Sequence, residues 1–130
     1  MYIFDTTAII ELFKGNENLK DKMEGIGDDF GVTAVSYLEI FSKVRHRKLK
    51  REGRYFERFF ASVPLYTLDK KAADDGSRVM GDLYKRGAPI NITDVMISGI
   101  ALANGADGII TGDKDFLIVG EVSDLEIVLL

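Results

Sequence analysis

The sequence predicts a three-layer α/β/α fold around a central, mainly parallel sheet, and three observations carry that expectation. Short apolar runs rich in β-branched residues recur along the chain, and stretches of helical periodicity separate them. Parallel neighbours need crossover connections rather than hairpins, so strands alternating with helices demand a sheet covered on both faces. The 130 residues, 46% of them hydrophobic, suffice for one core, so residues 1–130 are expected to form a single domain.

Tyr2-Ile3-Phe4 reads as the first strand and ends at Asp5, after which Ala8, Ile9, Ile10, Leu12 and Phe13 recur close to helical spacing up to Gly15. Residues 17–26 read as a short second helix. Residues 30–35, apolar and β-branched after the Gly27-Asp28-Asp29 turn, read as the second strand. A long helix is expected from Ser36 to about Glu52, with Leu38, Phe41 and Val44 on its apolar side and Gly53 breaking it; residues 55–62 continue helically. Residues 63–68 read as a third strand with Pro64 tolerated at its start, and Asp69 is placed to cap a helix ending near Gly87. Residues 88–92 read as a connection, Thr93-Asp94 as the opening of a helix reaching Asn104-Gly105, residues 108–111 as a buried strand and residues 125–130 as the last strand.

Composition narrows the chemistry. No run of 18 apolar residues occurs, and the N-terminal apolar residues reach Asp5 at once, so neither a membrane span nor a signal-peptide core is expected and the cytoplasm is the expected location. Cysteine is absent, which excludes thiolate ligands and thiol nucleophiles. His46 is the only histidine, so multi-histidine zinc sites have no basis in this chain. The net charge of −4 argues against a protein that coats nucleic acid over its whole surface. Positive charge is nevertheless concentrated in residues 43–58, which read either as a solvated helix face or as a contact for RNA backbone.

In open parallel sheets the working crevice lies beyond the carboxyl ends of the strands. That rule selects Asp5 after the first strand, Glu39 after the second, Asp113 after the fourth, and Asp94 at the start of the helix leading into it. Carboxylates about 4 Å apart repel by roughly 4 kcal/mol at an effective dielectric near 20, which a divalent cation would offset. All-oxygen ligands suit Mg²⁺ or Mn²⁺. Each acid also has a structural reading. Asp5 fits a helix N-cap, and Ser36 with Glu39 matches a capping box. Asp94 competes with Thr93 to cap its helix, and Asp113 fits a turn after Gly112.

The ordered set Phe4-Asp5-Thr6-Thr7-Ala8, Thr33-Ala34-Val35-Ser36 with Glu39, Asp94-Val95-Met96-Ile97 and Thr111-Gly112-Asp113-Lys114-Asp115-Phe116 resembles the PIN domain, and within it the toxin nucleases of VapBC-type toxin-antitoxin pairs. The resemblance spans nearly the whole chain. It implies an endoribonuclease dependent on Mg²⁺ or Mn²⁺, in which Asp5, Glu39, Asp94 and Asp113 are the catalytic acids and Asp5, Asp94 and Asp113 hold the metal. Thr111 would support the acids as hydrogen-bond donor or acceptor, and Asp115 would orient the loop or approach a second ion. The implied reaction is in-line attack of water on phosphorus, without a side-chain nucleophile. The resemblance also implies an RNA substrate, a homodimer and a small cognate antitoxin. The alternative is a noncatalytic PIN-like module that binds RNA or protein, with the acids as caps. A haloacid-dehalogenase-type phosphatase fits less well, because a second aspartate would be wanted where Thr7 stands. No glycine-rich P-loop appears either.

Overall fold

The computed structural model describes all residues from Met1 to Leu130. Five strands, β1 (Tyr2–Phe4), β2 (Phe30–Thr33), β3 (Leu65–Tyr66), β4 (Gly108–Thr111) and β5 (Glu126–Leu129), form one sheet in the order β3-β2-β1-β4-β5. Every pairing is parallel. Seven helices connect the strands: α1 (Thr6–Phe13), α2 (Glu17–Ile26), α3 (Ala34–Arg47), α4 (Lys50–Ser62), α5 (Lys70–Lys85), α6 (Ile92–Ala103) and α7 (Leu117–Val122).

Strand alternation divides the interior into two cores. Ile3 and Ile109 point to one face, where they meet Val79 and Leu83 of α5, Ile97 and Ile100 of α6, and Val119 of α7. Their chain neighbours Phe4 and Ile110 point to the other face, against Ala8 and Ile9 of α1, Leu19 of α2, Ile40 and Phe41 of α3, and Phe56 and Phe60 of α4. The layers are therefore α1–α4, sheet, and α5–α7, as the alternation of strands and helices predicts. On the second side the packing is largely aromatic: Phe41 lies 4.4 Å from Tyr37 and 5.9 Å from Phe60 between ring centroids.

Several boundaries depart from the sequence reading, each for a local reason. The second strand stops at Thr33, because Thr33 is itself the N-cap of α3 and its Oγ1 accepts from the Ser36 amide at 3.2 Å. The long helix expected to run to Glu52 divides earlier, at Lys48, which adopts a left-handed conformation with φ 54°. Gly53 does not break a helix; it lies inside α4, where a Cβ would meet Val44 Cγ1 at 3.1 Å, so it permits the close approach of α4 to α3. The third strand is only two residues long. A 3₁₀ turn over Lys114–Phe116 and helix α7 occupy a segment for which the sequence suggested no element.

The chain moves outward from β1 to β2 and β3, then returns to place β4 on the opposite side of β1. Order therefore reverses between β1 and β4, whose carboxyl ends are aligned by the Phe4 to Ile110 pairing. This reversal opens the crevice into which the next residues of both strands project.

Candidate active site

Asp5 directly follows β1, and its amide donates to the Ile110 carbonyl at 3.1 Å, continuing the β1–β4 ladder by one residue. Its buried carboxylate caps α1, with Oδ1 accepting from the Ala8 amide at 2.9 Å. The capping role weighed from the sequence is thus present, but it uses only part of the carboxylate. Thr111 Oγ1 donates to Asp5 Oδ2 at 2.7 Å, and Thr7 Oγ1 lies 2.7 and 2.9 Å from the two oxygens. Thr7 has one proton to share between them, so the carboxylate retains acceptor capacity. Burial pushes the Asp5 carboxyl above its ordinary value; the donors from Thr111, Ala8 and Thr7 oppose that rise, and the charge of Asp113 adds to it.

Thr111 ties the two strand ends together. Besides donating to Asp5, its fully buried hydroxyl accepts from the Asp113 amide at 2.9 Å. Gly112 donates its amide to Thr7 Oγ1 at 2.8 Å, so the loop after β4 is bound to the first turn of α1 from both sides. Asp113 then caps the 3₁₀ turn through the Asp115 amide at 2.9 Å.

Glu39 is not the partner of a Ser36 capping box, because the cap of α3 is Thr33 and Ser36 lies within the first turn. Instead Thr6 Oγ1 donates to Glu39 Oε1 at 2.8 Å, and it also lies 3.0 Å from Ser36 Oγ. Both threonines after Asp5 therefore face the site, Thr7 toward Asp5 and Thr6 toward Glu39. The sequence alone left open which of them does so, and it offered Ser36 only as a helix cap, not as a neighbour of Thr6, a contact that depends on how α1 and α3 pack.

Asp94 lies in the first turn of α6, but Asn91 is the N-cap and Asp94 takes no capping hydrogen bond. Its Oδ2 is buried without any partner. Burial, followed by the charges of Asp113, Asp5, Glu39 and Asp115, pushes its carboxyl up to about 7. Four acids from three other segments thus act electrostatically on a fifth. One carboxylate oxygen each from Asp94, Asp113 and Asp115 lie within 4.8 Å of one another. Asp5 is outside that tight group, and Asp115 joins it through the turn after β4. His46 stands apart, exposed in the last turn of α3.

This donor set fits a hard divalent cation. The three carboxylate oxygens, all within 4.8 Å of one another, are near enough for a single ion to be shared among them. The unpartnered Asp94 Oδ2 is the kind of buried acceptor that an ion satisfies. Nitrogen and sulfur ligands are absent from the group, which suits Mg²⁺ or Mn²⁺ rather than Zn²⁺.

The fold is shared with solved toxin-antitoxin proteins. The chain superposes with a TM-score of 0.83 on a chain of VapBC2 from Rickettsia felis, solved bound to a promoter DNA fragment, at 14% identity and covering 99% of this chain and 98% of that one. For VapBC-1 from nontypeable Haemophilus influenzae the TM-score is 0.81 at 20% identity, with coverage of 98% and 96%. For VapBC-5 from Mycobacterium tuberculosis the values are 0.76, 19%, 99% and 98%. No curated protein matches the sequence. The family model described as PIN domain matches residues 2–122, a span that holds every acid of the crevice, and the chain belongs to the PIN domain family.

Proposed function

We propose that this protein is a divalent-metal-dependent endoribonuclease and the toxin of a toxin-antitoxin pair, acting in the cytoplasm on RNA and held in check by a small antitoxin. A homodimer is part of the same reading. The observation that carries the nuclease assignment is Asp94: its buried Oδ2 has no partner and it does no capping work, yet it stands among four further acids. Asp5 and Asp113 each have a cap to make, so a noncatalytic module would account for those two. It leaves Asp94 unexplained, because a buried unpaired acceptor costs about 1–3 kcal/mol with nothing gained.

Asp94 and Asp113 would hold the ion, with Asp5 facing them from β1 and Asp115 as a further ligand. A bound Mg²⁺ or Mn²⁺ supplies charge neutralisation at a phosphodiester and lowers the pKa of water. The protein's own contribution is position. Thr111 and Thr7 fix Asp5, Thr111 also fixes the Asp113 backbone, and Thr6 holds one oxygen of Glu39 while the other has no protein donor and is free to orient water. The antitoxin and RNA assignments are supported by the fold shared with VapBC proteins and by the acidic crevice.

The test is cleavage of a mixed structured-RNA substrate by purified protein in EDTA, Mg²⁺ or Mn²⁺, with Asp94→Asn alongside. Cleavage that requires metal and is lost in a folded Asp94→Asn protein supports the assignment. Equal cleavage by both proteins, or no metal-induced rise in the melting temperature of the native protein, refutes it.

A further inference from the structure

Residues 43–58 hold eight lysines and arginines against two acids, while the remainder of the chain holds nine against nineteen. All eight cationic side chains are exposed. Lysines and arginines elsewhere form ion pairs, as Lys71, Arg78 and Arg86 do, but no cation of this segment pairs with a carboxylate.

Helix energetics explain only part of this charge. Arg45 and Arg47 occupy the last turn of α3, where the helix dipole favours cations. Lys50 and Arg51 begin α4, where the dipole disfavours them, and no side chain caps that end. Arg51, Arg54 and Arg58 follow one another along one stripe of α4, separated by about 4.5 and 6 Å of helix rise. With Phe13 and Tyr55 they line a shallow depression of about 410 Å³. The Arg51 guanidinium lies 5.9 Å from the centre of the Phe13 ring, and the Phe13 and Tyr55 rings are 4.8 Å apart. Arginines interleaved with half-buried aromatic rings suit a nucleic-acid strand, whose phosphates take the cations and whose unpaired bases pack against what the rings leave exposed. A membrane surface would need only the charge, and an acidic peptide would not supply evenly repeated anions.

Two helices join this depression to the acids. Helix α1 has Asp5 at its N-cap and Phe13 as its last residue, and α3 carries Glu39 one turn before Lys43 and two turns, about 12 Å, before Arg47. We propose that the Arg51-Arg54-Arg58 face, with Phe13 and Tyr55, is the surface on which RNA lies as it leaves the acidic crevice, an inference that rests on the nuclease reading for its substrate. The arginines contact phosphates, and an unpaired base packs on the exposed edge of the aromatic pair.

The test separates binding from cleavage. Anisotropy of a fluorescent unstructured RNA of about 30 nucleotides is read with full-length Asp94→Asn protein in EDTA, from 50 to 200 mM KCl, conditions chosen to span the salt range in which phosphate contacts are resolved. Adding Arg51→Gln, Arg54→Gln and Arg58→Gln is expected to weaken binding at least tenfold and to flatten the log–log salt dependence by about 2, at about 0.7 per lost phosphate contact. An equal charge change at the exposed Lys20, Lys70 and Lys85 is expected to leave both nearly unchanged. Equal losses in the two triple variants overturn the proposal, as does a patch variant that loses binding to phosphatidylserine vesicles while keeping its RNA affinity. Metal-dependent cleavage by protein with native Asp94 is scored separately. Cleavage with an unchanged KM in the arginine triple variant removes the docking surface and leaves the nuclease standing, whereas patch-dependent binding without any cleavage removes the nuclease alone.

Discussion

Replacing Asp94 with asparagine removes a charge that the fold holds against burial and four neighbouring acids, and the consequence for stability can be worked out. The carboxyl moves from an ordinary 3.8 to about 7 on folding. The folded chain therefore holds this proton more tightly than the unfolded chain, so the contribution of Asp94 to stability is greatest at low pH and is lost as pH rises from about 4 through about 7. At full weight a rise of this size corresponds to about 4 kcal/mol. Solvent screening at a half-buried group reduces that to about 2 kcal/mol. The asparagine side chain carries no charge at any pH, so in EDTA the Asp94→Asn variant should be more stable than the native protein by about 2 kcal/mol at pH 8, a gap falling below about 0.5 kcal/mol near pH 4. For a chain of this length that is a difference in Tm of about 8 °C at pH 8. Asp5, also raised by burial, gives the native protein a slope of the same sign.

The assay is a pair of thermal melts across pH 4 to 8 in EDTA, repeated in Mg²⁺ at pH 8. Metal should reverse the order: an ion present at 100 times its dissociation constant adds about 2.7 kcal/mol to the native protein, and Asp94→Asn should lose most of that gain. A stability gap that is constant with pH, or a variant less stable than the native protein at pH 8, would refute the claim that Asp94 is held under electrostatic load.

Three further outcomes follow from contacts at and behind the crevice. Asp5→Ala should also abolish cleavage, but with a loss of about 1–2 kcal/mol in melts at pH 8, because Asp5 caps α1 and accepts from Thr111 and Thr7, and alanine can do neither; an unchanged Tm would show that these bonds contribute nothing net. Thr111→Val keeps the shape of a fully buried side chain while leaving Asp5 Oδ2 with only the shared Thr7 proton and the Asp113 amide without its acceptor, so urea denaturation should show a loss of about 1–3 kcal/mol together with reduced metal affinity by calorimetry. Gly99→Ala would place a Cβ against the Ala72 carbonyl oxygen and within 2.9 and 3.0 Å of the Gly76 amide nitrogen and Cα, so α5 and α6 must separate; a loss of about 3 kcal/mol is expected by urea denaturation, and a neutral result would mean the two helices are free to shift apart.

The sequence exposed what depends on local pattern and concealed what depends on packing. Apolar runs that end in an acid were legible at Asp5 and after Thr111, because a strand terminus and its polar successor are adjacent in the chain. The order of the strands was not, since nothing in β4 states that it pairs with β1 rather than with β3. Lys48 was missed as the division between α3 and α4 because a left-handed residue there is expected to be glycine, and Gly53 nearby drew the break five residues too late. Helix α7 was hidden by its β-branched Ile118, Val119 and Val122, which packing against β5 overrides. In the site, the four acids follow from the strand-end rule and the resemblance, whereas the place of Asp115 in the tight carboxylate group depends on a turn whose geometry no spacing announces.

The arrangement also explains how a small fold tolerates its least favourable residue. Local rules hold where structure alone is served: Asp5, Asn16, Thr33 and Asp69 all accept the amide expected of an N-cap. They fail at Asp94, where an acid enters a helix without capping it and is buried without a partner. The helix that carries it is fixed independently, since Gly99 and Gly76 let α6 pack directly against the backbone of α5. Repulsion at the first turn of α6 therefore cannot relax by moving the helix outward, and the N-terminal end of the helix dipole offsets only part of it. The proposed metal site would gain from that rigidity, because acids held close together in advance need little rearrangement to take an ion. The cost is carried by the metal-free fold, which is why its stability should fall with rising pH until a cation takes the place of the proton.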